Sequence, residues 1–174
     1  MKRSNAIANA LRTLLDASWP SPDATEELAK LGAAESEDTF RAAARRLFLK
    51  VQVRFPDTHF WIKNEQSHFL FGCPNFVAAS TLDAGTLFSG INDVDPRIPW
   101  TRQGVLYLRD DKEVLRSGAP KLNIVERQDR DGRTVWLRTS KVPFRSDGGD
   151  GTVGGFDIIS AQDAWRISRE SRES

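Results

Sequence analysis

The sequence predicts an α+β fold in which a helical N-terminal third precedes a five-stranded antiparallel sheet. Apolar residues recur at helical spacing up to about residue 57. From Thr58 the period changes to two, with the aromatic and β-branched residues that are typical of strands. Two strand-like segments are followed by a helical stretch and then by three more strands, so helices are predicted between the second and third strands.

Three short amphipathic helices are predicted before the sheet. The first ends at Trp19-Pro20, and its apolar stripe has the spacing i, i+4, i+7 and i+8: Ile7, Leu11, Leu14 and Leu15. A break at Pro22-Asp23 precedes a second helix, and a third begins near residues 36–39 and closes at Pro56. Because short amphipathic helices need a surface to cover, segment 1–57 is predicted to be a cap on the sheet or a dimerisation element.

The first two strands are predicted to form a hairpin. Phe60-Trp61-Ile62 and His68-Phe69-Leu70-Phe71 are β-favouring runs, and the polar stretch 63–67 separates them. Pro74 then opens a short helix with Cys73 at its cap position. Residues 82–95 carry glycines, an asparagine and aspartates, and an irregular segment is expected there.

A longer helix and three strands complete the predicted order. The helix runs through residues 105–115 and is stopped by Gly118-Ala119-Pro120. Strands are expected at residues 121–127, 134–144 and 152–160. Asp131-Gly132 lies between the first two of these, and an Asp-Gly pair is a strong hairpin signal because glycine tolerates positive φ.

Several fragments, in this order, resemble the PAS family and its C-terminal PAC hairpins. They are Phe60-Trp61-Ile62-Lys63, Phe69-Leu70-Phe71, Pro74-Asn75-Phe76, residues 110–118, residues 131–136, residues 139–144 and Val153-Gly154-Gly155-Phe156. The resemblance implies a PAS-like five-stranded sheet and covers about residues 58–160. It divides the chain into a helical segment 1–57, a PAS domain 58–160 and a C-terminal tail 161–174.

The sequence departs from the family pattern at two places. Cys73 stands where the family usually has an asparagine cap, so a weaker helix start is expected. Ala161-Gln162-Asp163 stands where the family commonly carries an Asp-Ile-Thr signal-transfer motif. No output domain follows in the sequence, which predicts that the output lies on a separate protein or that the chain is a fragment.

The resemblance implies a haem, flavin or small-metabolite sensor, or a bare interaction module. No histidine lies between residues 78 and 174, which argues against haem held by the long helix. His59 and His68 are expected at solvated strand positions. Cys73 lies too early for covalent flavin chemistry and is expected to be a small, buried and inert residue. The sequence names no cofactor, and the remaining option is a noncovalent ligand.

A noncovalent ligand would lie between the sheet and the long helix. The candidate pocket residues are Phe69, Phe71, Phe76, Leu106, Leu108, Leu115, Ile124, Leu137 and Phe156. The same residues would fill the core of an unliganded domain. The sequence leaves open which strand face points inward: Phe60 and Ile62 or Trp61 and Lys63 in the first strand.

The polar and aromatic residues nearby have ordinary structural interpretations. Arg138 and Lys141 are expected to face solvent, although either would pair with an anionic ligand if turned inward. The pairs Asp93/Asp95 and Asp110/Asp111 lack companion ligands at metal spacing, and charges at helix starts or on solvated faces are predicted. Trp100 is expected to be a packing anchor.

Composition limits the function further. The 174 residues carry a net charge of only +1 with mixed signs, which argues against nucleic acid or an anionic membrane as the main partner. The single cysteine fits a reducing compartment, and no apolar run follows the N-terminus, so a cytoplasmic protein is expected.

The leading hypothesis is therefore a signal-transduction module that binds a small ligand or a protein partner. It would form a homodimer through the N-terminal helices and would not be an enzyme. One alternative is a ligand-free dimerisation scaffold. The other is an enzyme on a cone-shaped α+β fold, which would need a buried Asp or His in the cavity.

Overall fold

The computed structural model describes residues 1–20 and 23–174. Its helices are α1 (Arg3–Ser18), α2 (Ala24–Gly32), α3 (Glu37–Arg54), α4 (Pro74–Ser80), α5 (Ala84–Leu87), α6 (Gly104–Ser117) and α7 (Ala161–Glu173). Its strands are β1 (Thr58–Asn64), β2 (Phe69–Gly72), β3 (Lys121–Arg130), β4 (Arg133–Phe144) and β5 (Gly151–Ile159). The predicted break at Pro22 lies outside the described residues.

The strands form one antiparallel sheet in the order β2-β1-β5-β4-β3. Helices α4 to α6 are inserted between β2 and β3, and α1 to α3 precede β1. The predicted α+β class, a PAS-like five-stranded sheet with inserted helices and a preceding helical segment, is confirmed. No helix in the described part of the chain has both the length and the apolar character needed to cross a membrane.

The N-terminal helices cover one face of the sheet. Helix α1 packs across β4 and β5, and Phe48 of α3 stacks on Phe60 of β1 with ring centroids 4.9 Å apart. Ser36 begins α3 with a capping box, in which its side chain accepts from the backbone N–H of Thr39 and Thr39 bonds back to the Ser36 backbone N–H. The apolar faces of α1 and α3 are thus buried towards the sheet, and α2 packs on these two helices.

Asp157 of β5 joins this helical layer to the sheet. Its carboxylate accepts hydrogen bonds from Trp19 Nε1, 3.0 Å away, and from Thr58 Oγ1, 2.7 Å away. Arg138 of β4 also pairs with it, and the Arg138 guanidinium lies 5.5 Å from the Trp19 ring centroid. The end of α1 is therefore held by a charged group in the centre of the sheet.

The opposite face of the sheet carries the inserted helices. Helix α6 packs against β4 and β5, and α4 packs against β1. Because both faces are covered, β1 is buried from Thr58 to Lys63. Phe60 packs towards the N-terminal helices, while Trp61 and Lys63 point towards the inserted helices, which settles the strand faces that the sequence left open.

The turn signals of the sequence are used as predicted. Asp131 and Gly132 join β3 to β4 with φ angles of 49° and 74°, the left-handed pair of a tight hairpin turn. Gly118 ends α6 at φ 67°. Cys73 makes no side-chain cap bond to α4, as its thiol predicts. Two helices were missed: α5 in the expected irregular segment, and α7 in the C-terminal tail.

Replacing Asp157 with alanine should lower the free energy of unfolding by about 2 kcal/mol, because Trp19, Thr58 and Arg138 each lose a charged acceptor. Urea denaturation measures the change. Asp147→Ala is the matched control: its carboxylate pairs with the N-terminal ammonium in an exposed bridge, and its loss should cost less than about 0.5 kcal/mol. Equal losses for both variants would contradict the role given to Asp157.

Candidate ligand-binding cavity

A narrow cavity lies between the sheet and the inserted helices. The centres of water molecules have about 20 Å³ in it, which is room for about one water. Helices α4 and α6, the loop before α6 and all five strands contribute to it. The lining residues are Trp61, Lys63, Phe69, Phe76, Asp93, Trp100, Tyr107, Glu126, Gln128, Leu137, Lys141 and Phe156.

Two lysines of the sheet and two aspartates of the inserted segment form a buried ion network beside this cavity. Lys63 Nζ lies 2.6 Å from Asp93 Oδ2 and 2.6 Å from Asp111 Oδ2. Lys141 Nζ lies 3.0 Å from Asp111 Oδ1 and donates to the backbone carbonyl of Tyr107 at 3.3 Å. Each of the four charged side chains is at most 6% exposed.

Burial and pairing act in opposite directions on these groups. Burial lowers the pKa of Lys63, but the charges of Asp111 and Asp93 outweigh it and leave that pKa above its ordinary value. Burial raises the pKa of Asp111, but the charges of Lys63 and Lys141 outweigh it and hold that pKa below the usual range. Both groups are therefore charged at neutral pH, since their partners compensate for the lost hydration.

Trp100 and Tyr107 tie the network to the cavity wall. Trp100 Nε1 donates to Asp93 Oδ1 at 2.8 Å, which places the indole over the loop that carries Asp93. Tyr107 Oη donates to the backbone carbonyl of Arg127 at 3.1 Å, joining α6 to the edge strand β3. Burial raises the pKa of Tyr107 well above its ordinary value, so the phenol stays protonated.

Two polar atoms in the lining are buried without a partner among the described residues: Trp61 Nε1 and Glu126 Oε1. The other oxygen of Glu126 accepts from Thr139 Oγ1 at 2.9 Å. Burial raises the pKa of Glu126, and the charge of Lys141 and the Thr139 bond only partly offset it. Buried polar atoms normally have partners, so a donor and a carboxyl group here are available to a bound molecule.

The predicted pocket residues fall into two groups. Phe69, Phe76, Leu137 and Phe156 line the cavity. Phe71 lies on the other sheet face, stacked on Phe48 with centroids 5.9 Å apart. Leu106 is half exposed on α6 and does not line the cavity. Leu108, Leu115 and Ile124 are partly buried and also lie outside the lining. Strict alternation would put Phe69 and Phe71 on one face. The β1–β2 register shifts between Ile62 and Lys63, so Phe71 pairs with Ile62 and Phe69 with Lys63, and the two rings lie on opposite faces.

Several polar residues are placed differently from the sequence expectation. Asp93 and Asp111 were predicted on solvated faces or at helix starts, but both are buried. Lys141 was predicted to face solvent and is 1% exposed, while Arg138 faces the N-terminal helices and pairs with Asp157. These charged side chains can be buried because each is paired with an opposite charge from a distant segment. Local sequence patterns do not show such pairs.

The histidines and the cysteine also have defined positions. His59 is buried rather than solvated, and its ring stacks on Phe156 with centroids 4.4 Å apart. His68 is half-buried. Cys73 is fully buried, as predicted, and burial raises the pKa of its thiol, which favours the unreactive protonated form. Within residues 1–20 and 23–174, no cluster of three metal-ligating side chains occurs.

Two more grooves open on the surface. One lies between α6 and β3 and shares Tyr107 and Glu126 with the inner cavity, so these two side chains separate the cavity from solvent on that side. The other lies between the start of α1, the α2–α3 turn and the first two strands. The centres of water molecules have about 420 Å³ in the groove between α6 and β3 and about 330 Å³ in this second groove, so both are larger than the inner cavity. None of the second groove's lining side chains in the described chain is a buried polar group lacking a partner.

The sequence matches no protein-family model and no curated protein. Among solved structures, the chain is similar to a Vibrio cholerae VqmA dimer described as a LuxR-type receptor without its target DNA. The TM-score is 0.54 at 17% identity, covering 67% of this chain and 52% of that one. VqmA bound to DPO gives 0.53 at 16% identity, covering 65% and 57%. The phage VqmA–DPO complex gives 0.50 at 16%, covering 74% and 60%.

At these identities the likeness is one of fold. The chain spans a little over half the length of the VqmA structures that it resembles. The shared part is long enough to contain the five-stranded sheet and its inserted helices.

Asp111→Asn should lower the free energy of unfolding by about 3–5 kcal/mol, because it leaves Lys63 and Lys141 buried with one fewer counter-charge. Asp110→Asn, one residue away, breaks only a partly exposed pair with Lys121 and should cost less than about 1 kcal/mol. Thermal and urea unfolding of both variants measure this difference.

The same pair of variants has a defined pH dependence. Since the pKa of Asp111 is lowered in the folded protein, its stabilisation is present above the ordinary aspartate pKa and is lost as the pH falls towards the folded value. The gap between the wild type and Asp111→Asn should therefore narrow on acidification. A gap that is independent of pH would contradict an ionised Asp111.

Proposed function

We propose that this chain is a sensor module that binds a small ligand without a covalent bond, in the cavity between the sheet and helices α4 and α6. One observation carries the proposal: an aromatic-walled cavity in which Trp61 Nε1 and Glu126 Oε1 are buried without partners among the described residues. Apolar walls with a few convergent polar groups are typical of ligand sites.

The buried carboxylates support binding rather than catalysis. Asp93 accepts hydrogen bonds from Lys63 and Trp100, and Asp111 is flanked by Lys63 and Lys141. Groups committed to such pairs are poorly placed to exchange protons with a substrate, because leaving the pair costs the buried charge its only compensation. The enzyme alternative would need a free acid or base, and the raised pKa of Glu126 is its best support.

The fold likeness agrees with a sensing role. One of the similar structures is described as a LuxR-type receptor, and the two others contain DPO. We infer by analogy that the corresponding cavity of this chain holds the signal molecule. The near-neutral charge of the chain supports a protein rather than nucleic acid as the output partner.

A homodimer through the N-terminal helices is part of the proposal. Leu49 and Val53 lie one turn apart on α3 and are 43% and 87% exposed. At helical spacing they lie on a different face from the buried stripe of α3, which includes Leu47, Phe48 and Val51. A second copy would cover Leu49 and Val53, and a cytoplasmic partner protein would read the ligand state.

Native mass spectrometry of the purified full chain should show a bound small molecule. Leu137→Trp fills the cavity and should abolish that bound mass, whereas Val105→Trp, on the exposed side of α6, should retain it. Circular dichroism checks that both variants fold, since overpacking costs about 1–3 kcal/mol.

A second measurement covers a ligand that is lost in purification. DPO and a set of small polar compounds are added to the wild type, and thermal unfolding is followed, because a ligand that binds only the folded state raises Tm. A chain that carries no molecule and responds to no compound would contradict the sensor. If it were still dimeric, the ligand-free scaffold would replace the sensor.

Light scattering tests the dimer separately. The wild type should have twice the mass of one chain, and Val53→Asp should convert it to a monomer by placing a charge in the interface. Val105→Asp, an exposed valine on α6, should leave the dimer intact. A monomeric wild type would contradict the proposed homodimer.

A further inference from the structure

We propose that the side chain of Tyr107 is the gate of the inner cavity, and that access from solvent is through the groove between α6 and β3. Such a gate rests on the proposed ligand-binding function and regulates access to the same site. The need for it follows from size. The cavity has room for about one water, so a larger molecule binds only after one of its walls has moved.

Two sides of the cavity are held by the sheet and by the ion network. Trp61, Leu137 and Phe156 belong to β1, β4 and β5, and each of these strands is paired along both edges. On the next side, Lys63 of β1 lies 2.6 Å from Asp111 of α6. Separating these charges would leave both of them buried without compensation, so neither side is expected to open.

Aromatic packing holds a third side. The ring of Phe76 in α4 lies 5.2 Å from that of Phe69, 5.7 Å from that of Trp61 and 5.6 Å from that of Trp100. All four side chains are buried, and Trp100 also donates to Asp93. Moving this group would expose several large apolar rings to water, which is unfavourable.

The fourth side, between α6 and β3, is built differently. Helix α6 packs against β4 and β5, and a groove in which the centres of water molecules have about 420 Å³ separates it from β3. Tyr107 and Glu126 line both this groove and the inner cavity. A side chain that leaves the closed position on this side therefore has space to enter.

Tyr107 is better placed to move than Glu126. Its backbone is held by Lys141, whose Nζ donates to the Tyr107 carbonyl oxygen at 3.3 Å. Its phenol is held at the rim by the bond from Oη to the Arg127 carbonyl oxygen, and water in the groove can replace both partners when the ring rotates outward. Glu126 is instead bonded to Thr139, which is 1% exposed.

A second link between α6 and β3 keeps the groove at a fixed width. Gln103, just before α6, donates from Nε2 to Asp129 Oδ2 and accepts from the Asp129 backbone N–H, both at 3.2 Å. This pair holds the start of the helix to the edge strand, one turn before Tyr107. The moving part is therefore one side chain between two fixed walls.

Thiol labelling of a cavity residue measures the gate without any ligand. Leu137 is 1% exposed, so in Leu137→Cys methyl methanethiosulfonate should react in proportion to the fraction of molecules that are open. Peptide mass spectrometry separates this site from the native thiol of Cys73, which is buried at the start of α4. Gln128→Cys, also in the lining and 2% exposed, is the reporter if Leu137→Cys does not fold.

Adding Tyr107→Phe keeps the ring but removes the rim bond, and it should speed labelling at the cavity position about fivefold. Labelling of Cys73 should not change, because that thiol becomes accessible only when the region around α4 opens. Arg145→Ala is the matched control. It removes the bond from an exposed side chain to the Leu115 carbonyl at the other end of α6, and should leave both rates unchanged.

Three results would overturn the gate. They are an unchanged rate at the cavity position in Tyr107→Phe, equal acceleration of that position and of Cys73, and equal acceleration by Arg145→Ala. The second would show that the variant unfolds more often as a whole. In each case a molecule retained in native mass spectrometry and lost in Leu137→Trp would still uphold the proposed function, so the two proposals fail separately.

Discussion

The requirement that a buried charge must have a partner governs the architecture of the sheet domain. Lys63 of β1 and Lys141 of β4 project from the sheet into the space beneath the inserted helices, where burying an unpaired ammonium group would cost several kcal/mol. Asp111 of α6 and Asp93 of the preceding loop meet them. The inserted segment is therefore held on the sheet by these ion pairs as well as by apolar packing. The positions of the Lys63 and Lys141 ammonium groups fix how α6 is placed and rotated on the sheet.

Much of the fold follows from local patterns. The hairpin at Asp131-Gly132, the end of α6 at Gly118 and the start of α3 at Ser36 depend on residues whose backbone preferences or caps act over a few positions, so the sequence predicts them. The class of the fold follows from the change of period at Thr58 and the order of the segments.

The site was harder to predict because its contacts join distant segments. The partners of Lys63 lie 30 and 48 residues along the chain, and no local pattern shows that an aspartate on α6 will neutralise a lysine on β1. Four predicted pocket residues line the cavity because large apolar side chains between the sheet and the helices are buried there. Phe71 shows the limit of this reasoning, since the register shift between β1 and β2 turns it to the face opposite Phe69, and no residue pattern in the sequence marks that irregularity. One signal for the buried network was available in the sequence. Lys141 alternates with Leu137 and Thr139 along β4, so it shares their face of the sheet.

Strand β5 places Phe156 in the cavity and the next residue, Asp157, beneath Trp19 on the other face. Sliding this strand by one position would exchange the two side chains, putting a carboxylate among aromatic rings and a phenyl ring against Arg138. The pairing of β5 with both neighbours is thereby locked along its length. Because Phe156 and Asp157 are adjacent on one strand, the cavity wall and the contact with Trp19 share a single backbone segment.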